Sequence, residues 1–178
     1  MSEDIDYFLE PLEVVESYKF RPELLLHPNI PKPLHSVCPR NLMSVKEWNY
    51  VRRTAYAKCG YHCFACGMFA NFDIERQRFE DVKLHAHEVY NINYEEYYVE
   101  LNEIVALCPT CHNGIHSGRA QSLFEKGIFG LQDMFEIVAH RDNVLGYDGL
   151  PNGFIVDVRD YTESWEKWYL SYNGKKYY

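Results

Sequence analysis

Two C-x-x-C pairs, Cys63/Cys66 and Cys108/Cys111, stand 41 residues apart in this chain. Four thiolates at those two spacings form the closed tetrahedral donor set of a structural zinc ion. To close the set, the chain must return on itself between the pairs, so the intervening unit is an enclosed insertion. Of the six cysteines, the remaining two, Cys38 and Cys59, are expected as core thiols. Cys59 is also near enough to Cys63 in sequence to compete as a ligand. In a reducing compartment cysteines at these spacings point to metal and packing, not to disulfides.

The run LCPTCHNGIHSGR, residues 107–119, adds two histidines that a four-cysteine site does not need. His112 and His116 are four apart, and on a helix starting near Pro109 both imidazoles share one face. Gly114 and Gly118 weaken that helix. A strand is expected over DVKLHAHEVY, residues 81–90, with Lys83, His85, His87 and Val89 on one face. Glu88 falls on the other face, with Val82, Leu84 and Ala86. His87, His112 and His116 together make a three-imidazole set with an open coordination position, the layout of a catalytic metal.

Around this centre the chain reads as one domain with small additions. Prolines 22, 28, 31, 33 and 39 predict an extended, polyproline-like strap whose apolar residues (Leu24, Leu25, Leu26, Ile30, Leu34) lie on the domain surface. A helix follows over residues 44–60, opened by a Ser44/Glu47 capping box and closed by Gly60, with Trp48, Val51, Ala55 and Tyr56 facing the core. YHCFACG reads as a knuckle, residues 91–103 as loop or hairpin, and IVALC as a short buried strand. LQDMFEIVAHR has helical spacing at Leu131, Phe135 and Val138, and Asn173-Gly174 between aromatic runs signals a type I′ hairpin.

With 47% hydrophobic residues the 178-residue chain can bury a core, and it has no run long enough for a membrane span. The acidic start argues against a secretory signal, so a cytoplasmic protein is expected. The net charge of −8 argues at first against a nucleic-acid partner. Six of the 26 acids, however, lie in residues 1–16, which have no Lys or Arg, so the remainder is nearly neutral. That acidic segment is a candidate protein-binding element.

From CFAC through HEVY to LCPTCHNGIH the chain resembles the HNH nuclease family, whose core is the ββα-metal fold. More widely, PNIPKPLH, NLMSVKEW and CHNGIHSGR resemble a group of bacterial and phage HNH-like proteins. The resemblance covers most of residues 24–125. It implies an α+β protein: a zinc-stapled ββα-metal core (41–126), preceded by an acidic segment and Pro-rich strap (1–40) and followed by a helix and aromatic β-hairpin (127–178). It implies a cytoplasmic DNA endonuclease of a bacterial or phage-infected cell, using structural Zn²⁺ and a second divalent ion (Mg²⁺, Mn²⁺, Ni²⁺ or Zn²⁺). The competing expectation is a non-catalytic zinc module that binds a protein or nucleic acid.

By position, the resemblance makes His112 and His116 the helix ligands, His87 the strand ligand and Glu88 the general base, where the family carries histidine. The family's orienting Asn falls at Glu103, one residue from Asn102. A shifted register would make His85 the ligand and His87 the base. Arg119 is a candidate phosphate contact.

Overall fold

The computed structural model of the chain describes residues 19–76, 78–147, 149–150 and 165–178. The acidic segment 1–16 lies outside the described residues. The described part is a mixed α+β structure built on a four-stranded sheet of order β3-β4-β5-β6. Its strands are β3 (His85–Asn93), β4 (Tyr98–Leu107), β5 (Tyr169–Tyr172) and β6 (Lys175–Tyr177). The β3–β4 and β5–β6 pairs are antiparallel and β4–β5 is parallel. A two-stranded sheet, β1 (Phe72–Asp73) with β2 (Arg78–Phe79), lies in the insertion between the cysteine pairs.

Of the two expectations for residues 91–103 the hairpin holds: β3 runs on to Asn93, the chain turns through residues 94–97, and β4 starts at Tyr98 and takes in the expected short strand. The register shifts once, between Val89 and Tyr90, because Val89 pairs with Glu103 and Tyr90 with Leu101. Asn102 is therefore the extra residue of a β-bulge. That insertion breaks the apolar alternation of β4, which is why its two halves read as separate elements in the sequence.

Helix α2 (Val45–Lys58) begins at the Ser44/Glu47 capping box, and Gly60 follows it at φ +53°. Ala55, Tyr56 and Ala57 are buried, whereas Trp48 and Val51 are only half-buried. The terminal hairpin turns through Asn173 and Gly174, both at positive φ, as a type I′ turn requires.

The strap departs from an extended path. Short 3-10 helices cover Pro22–Leu26 and Lys32–Ser36, and α1 spans Pro39–Leu42. In each a proline occupies the first turn, where its missing N–H costs nothing and its fixed φ suits the helix. Leu24 and Leu25 enter one core cluster with Leu84, Val105, Leu107, Ile115 and Leu145. Leu34 enters a second with Val99, Trp168 and Leu170. Burying each leucine contributes roughly 1.5–3 kcal/mol, so the strap is held at both ends.

The expected helix at 131–141 extends over α5 (Leu131–Tyr147). Leu131, Phe135 and Val138 point outward, 66%, 69% and 52% exposed, and Ile137 and Leu145 are the buried positions. The long helix packs on α3 (Pro109–Ile115) through a different stripe from the one its spacing advertised. Among the described residues no helix is long and apolar enough to cross a membrane.

Candidate metal centre

The first C-x-x-C pair sits in a tight turn. Met68 accepts from the Cys63 N–H at 2.8 Å, and Cys63 accepts from the Gly67 N–H at 2.9 Å. Gly67 is at φ +74°, which glycine adopts without strain, and a Cβ there would lie 2.7 Å from the Phe20 ring and force that ring to move. The second pair opens α3. Cys108 is its N-cap, and Pro109 occupies the first turn. The Cys108 Sγ accepts from the Cys111 N–H at 3.4 Å.

These two turns bring Cys63, Cys66, Cys108 and Cys111 together, with ligand atoms within 4.8 Å of one another. Cys66 and Cys108 sulfurs are 3.9 Å apart. Sulfurs on a tetrahedral ion at about 2.3 Å would be separated by roughly 3.8 Å. The quartet is therefore already near metal-binding geometry. Thiol hydrogen bonds from Cys108 and Cys111 pull the Cys66 thiol far down, while the crowd of neighbouring sulfurs, Cys108 first, pushes Cys111 far up. A bound cation removes that conflict by stabilising all four thiolates. All six cysteines are free. Cys38 and Cys59 are core thiols, and Cys59 donates to the Ala55 and Tyr56 carbonyls instead of joining the quartet. Burial pushes its thiol up to about 12.

The second donor set comprises His87, His112 and His116, again within 4.8 Å. His87 comes from β3, with its Nδ1 3.2 Å from His116 Nε2. Two nitrogens bound to one ion at about 2.0–2.1 Å in tetrahedral array lie roughly 3.3–3.4 Å apart. The His112 and His116 ring centroids are 4.6 Å apart. The two are not on one continuous helix: α3 ends at Ile115, and His116, at φ −89° and ψ 59°, is the hinge into α4 (Ser117–Glu125). The kink keeps the rings on one side even so.

Burial lowers the pKa of all three imidazoles: His87 well below its ordinary value, His112 to about 3 and His116 to about 4. All three are therefore neutral at pH 7, the form that ligates a metal. His87 is 3% exposed, and its Nε2 is buried without a hydrogen-bond partner among the described residues, which leave that nitrogen unsatisfied.

His85 shares the His87 face of β3 but stands outside the triad, its Nδ1 3.3 Å from His112 Nδ1. The three-residue donor group thus takes His87 from β3, while His85 meets His112 alone of the pair His112 and His116. Glu88 points to the opposite face, where its carboxylate accepts weakly from the Arg40 N–H at 3.4 Å. Burial raises its pKa, offset by the Arg40 charge. Glu103 is ion-paired to Arg21 through Nη1, and Asn102 is exposed at the bulge. Arg119 donates to the buried Asn113 side chain, and its charge helps lower His85, His112 and His116. The Arg40 charge acts on His112 and His116 as well.

Three polar neighbours carried no sequence signal. Asn29 in the strap has Oδ1 3.3 Å from His116 Nδ1. His27 Nε2 accepts from the Tyr90 N–H at 3.1 Å on the open edge of β3. His140 on α5 has Nε2 3.2 Å from Cys111 Sγ, and a hydrogen bond to the Cys66 sulfur raises its pKa. None has a fixed spacing to the ligands, since each arrives from an element far away in the chain.

The chain therefore contains two donor groups positioned to hold metal ions, one of thiolates and one of imidazoles, both compatible with zinc. No family model matches the chain, and neither a curated protein nor a solved structure matches it.

Proposed function

We propose that the chain is an HNH-type, metal-dependent endonuclease that hydrolyses DNA phosphodiester bonds, stapled by a zinc ion on Cys63, Cys66, Cys108 and Cys111. The observation that carries the reading is the second donor set: three neutral imidazoles, one buried and two half-buried, beside a thiolate set that needs no help. A scaffold has no structural use for that set. Its source elements also fit, since His87 comes from the β3–β4 hairpin, His112 from the α3 helix that follows it directly and His116 from the hinge at the end of that helix, much as in a ββα-metal core.

A divalent ion held by His87, His112 and His116 supplies Lewis-acid polarisation of a phosphoryl oxygen. The residues of the chain do the rest. Arg119 and Arg40, whose charges act on the histidine cluster, attract the scissile phosphodiester. Glu88 is turned from the His87 face but is bonded to the backbone of Arg40, whose charge also acts on His112 and His116. From that edge of the site it takes a proton from the attacking water, and its raised pKa favours the task. The water oxygen bonds to phosphorus, the ester P–O bond breaks, and the leaving oxygen is protonated from solvent. His85, beside His112, is the other residue able to take the proton.

The competing reading is a non-catalytic zinc module. It draws on the direction of Glu88, away from the His87 face, and on the engagement of Glu103 by Arg21. Plasmid nicking with Mg²⁺, Mn²⁺ or Ni²⁺, run beside metal content, decides between them. The expected result is nicking by the wild type, none by His112→Ala, and a loss of about 100- to 10,000-fold in Glu88→Gln with metal retained. Wild-type rates in Glu88→Gln together with failure of His85→Gln would transfer the base role to His85. No cleavage of DNA or RNA by protein with both metals bound would leave the binding module as the function.

A further inference from the structure

The imidazole of His116 touches the protein through both nitrogens. Nε2 lies 3.2 Å from His87 Nδ1, and Nδ1 lies 3.3 Å from the side-chain oxygen of Asn29. A neutral imidazole carries one proton, so the partner of one nitrogen fixes the role of the other. An amide oxygen only accepts, so Asn29 requires the proton on Nδ1 and leaves a lone pair on Nε2, the atom facing His87.

We infer that Asn29 is a positioning residue for the histidine metal centre: it sets the tautomer and ring orientation of His116, making the strap part of the site. This rests on the reading of His87, His112 and His116 as a metal-binding set.

The strap is built to deliver that side chain. Asn29 lies between Pro28 and Pro31, and Pro31 is fully buried. On its N-terminal side Leu24 and Leu25 are locked in the first core cluster, and His27 is bonded to the Tyr90 backbone. On its C-terminal side Leu34 is locked in the second cluster. Proline restricts the backbone between these anchors, so Asn29 loses little further freedom by holding one orientation. An outer hydrogen bond of this kind typically changes metal affinity by about 10- to 100-fold.

Two measurements test it. In metal-free-histidine protein carrying only the cysteine-bound zinc, long-range ¹H–¹⁵N correlation should find the His116 proton on Nδ1 in the wild type. Asn29→Leu should move it, wholly or in part, to Nε2. Separately, Co²⁺ titrated into zinc-loaded protein should bind the histidine set, with Asn29→Leu weakening that step about 10- to 100-fold. Asn29→Asp keeps an acceptor and should restore both the tautomer and the affinity, which a mere packing role would not predict. A wild-type His116 with its proton on Nε2 overturns the proposal whatever the metal result, as does wild-type Co²⁺ affinity in folded Asn29→Leu. If the wild type has Nδ1–H but takes up no Co²⁺ at the histidines, the metal reading fails while the tautomer assignment stands, and Asn29 is then no metal-positioning residue.

Discussion

A thiolate that accepts a hydrogen bond carries less charge toward its metal and is better shielded from protons than a bare one. His140 supplies such a bond at the sulfur pair of Cys111 and Cys66. It is also the link between α5 and the thiolate centre. Replacing it should leave one zinc equivalent bound but exposed to attack. We expect His140→Ala to release zinc to a chromogenic chelator about 10- to 100-fold faster than wild type. Equal release rates would show that the contact only fills space. At this scale the thiolates, His112 and His116 were legible from fixed spacings, C-x-x-C and i to i+4, that turn and helix geometry dictate, and His87 from its place on an expected strand. Asn29 and His140 were not, because tertiary contact has no spacing rule. Glu88 was legible only as a neighbour of His87, and strand alternation then turns it to the other face.

The elements follow local rules where one rule dominates and escape them where two compete. The N-terminus of α2 was readable from Ser44 and Glu47 alone, and both reciprocal bonds of the capping box are made. Ser44→Ala should therefore cost roughly 0.5–2 kcal/mol, read from the midpoint of urea unfolding of the zinc-loaded protein. An unchanged midpoint would mean that packing alone fixes the helix start. The α3 helix presents a different case. Gly114 is buried in its last turn, yet the nearest atoms a Cβ there would meet are Arg141 side-chain carbons, at 3.6 Å or more. That is ordinary contact, so Gly114→Ala should be tolerated, with melting temperature unchanged or raised as about 1 kcal/mol of helix propensity is recovered. A marked drop would reveal that close approach to α5 requires glycine. The bulge at Asn102 and the outward stripe of α5 are the competing cases. In the first an inserted residue erased the period of two, and in the second the apolar period of Leu131, Phe135 and Val138 marks an exposed face.

At the scale of the whole molecule, one core cluster joins the strap (Leu24, Leu25), the sheet (Val105, Leu107), α3 (Ile115) and α5 (Leu145) with Cys63, Cys108 and Cys111 of the thiolate group, and α3 also carries His112. Segments distant in sequence thus share one core, and the charge state of the donors acts on the stability of all of them. His112 and His116 have folded pKa values of about 3 and about 4, lowered first by burial, and His87 is lowered as well. In the unfolded chain each would titrate near about 6.5. As pH falls below that value the unfolded state takes up protons that the folded state refuses, so the unfolded state gains. The stability from keeping these rings neutral is full above about pH 6.5 and is lost progressively toward pH 4 and 3. A metal on the same nitrogens adds to the effect with the same sign, since protons compete with it. Acid also protonates the cysteine thiolates, so the comparison needs a variant that alters only the imidazoles. In His112→Asn/His116→Asn the thiolate set is unchanged and neither new side chain titrates. We expect the melting temperature of the wild type to fall more between pH 7 and pH 5 than that of the double variant. Parallel curves would mean that the cysteine quartet alone governs acid sensitivity, and that the buried imidazoles gain their protons without opening the core.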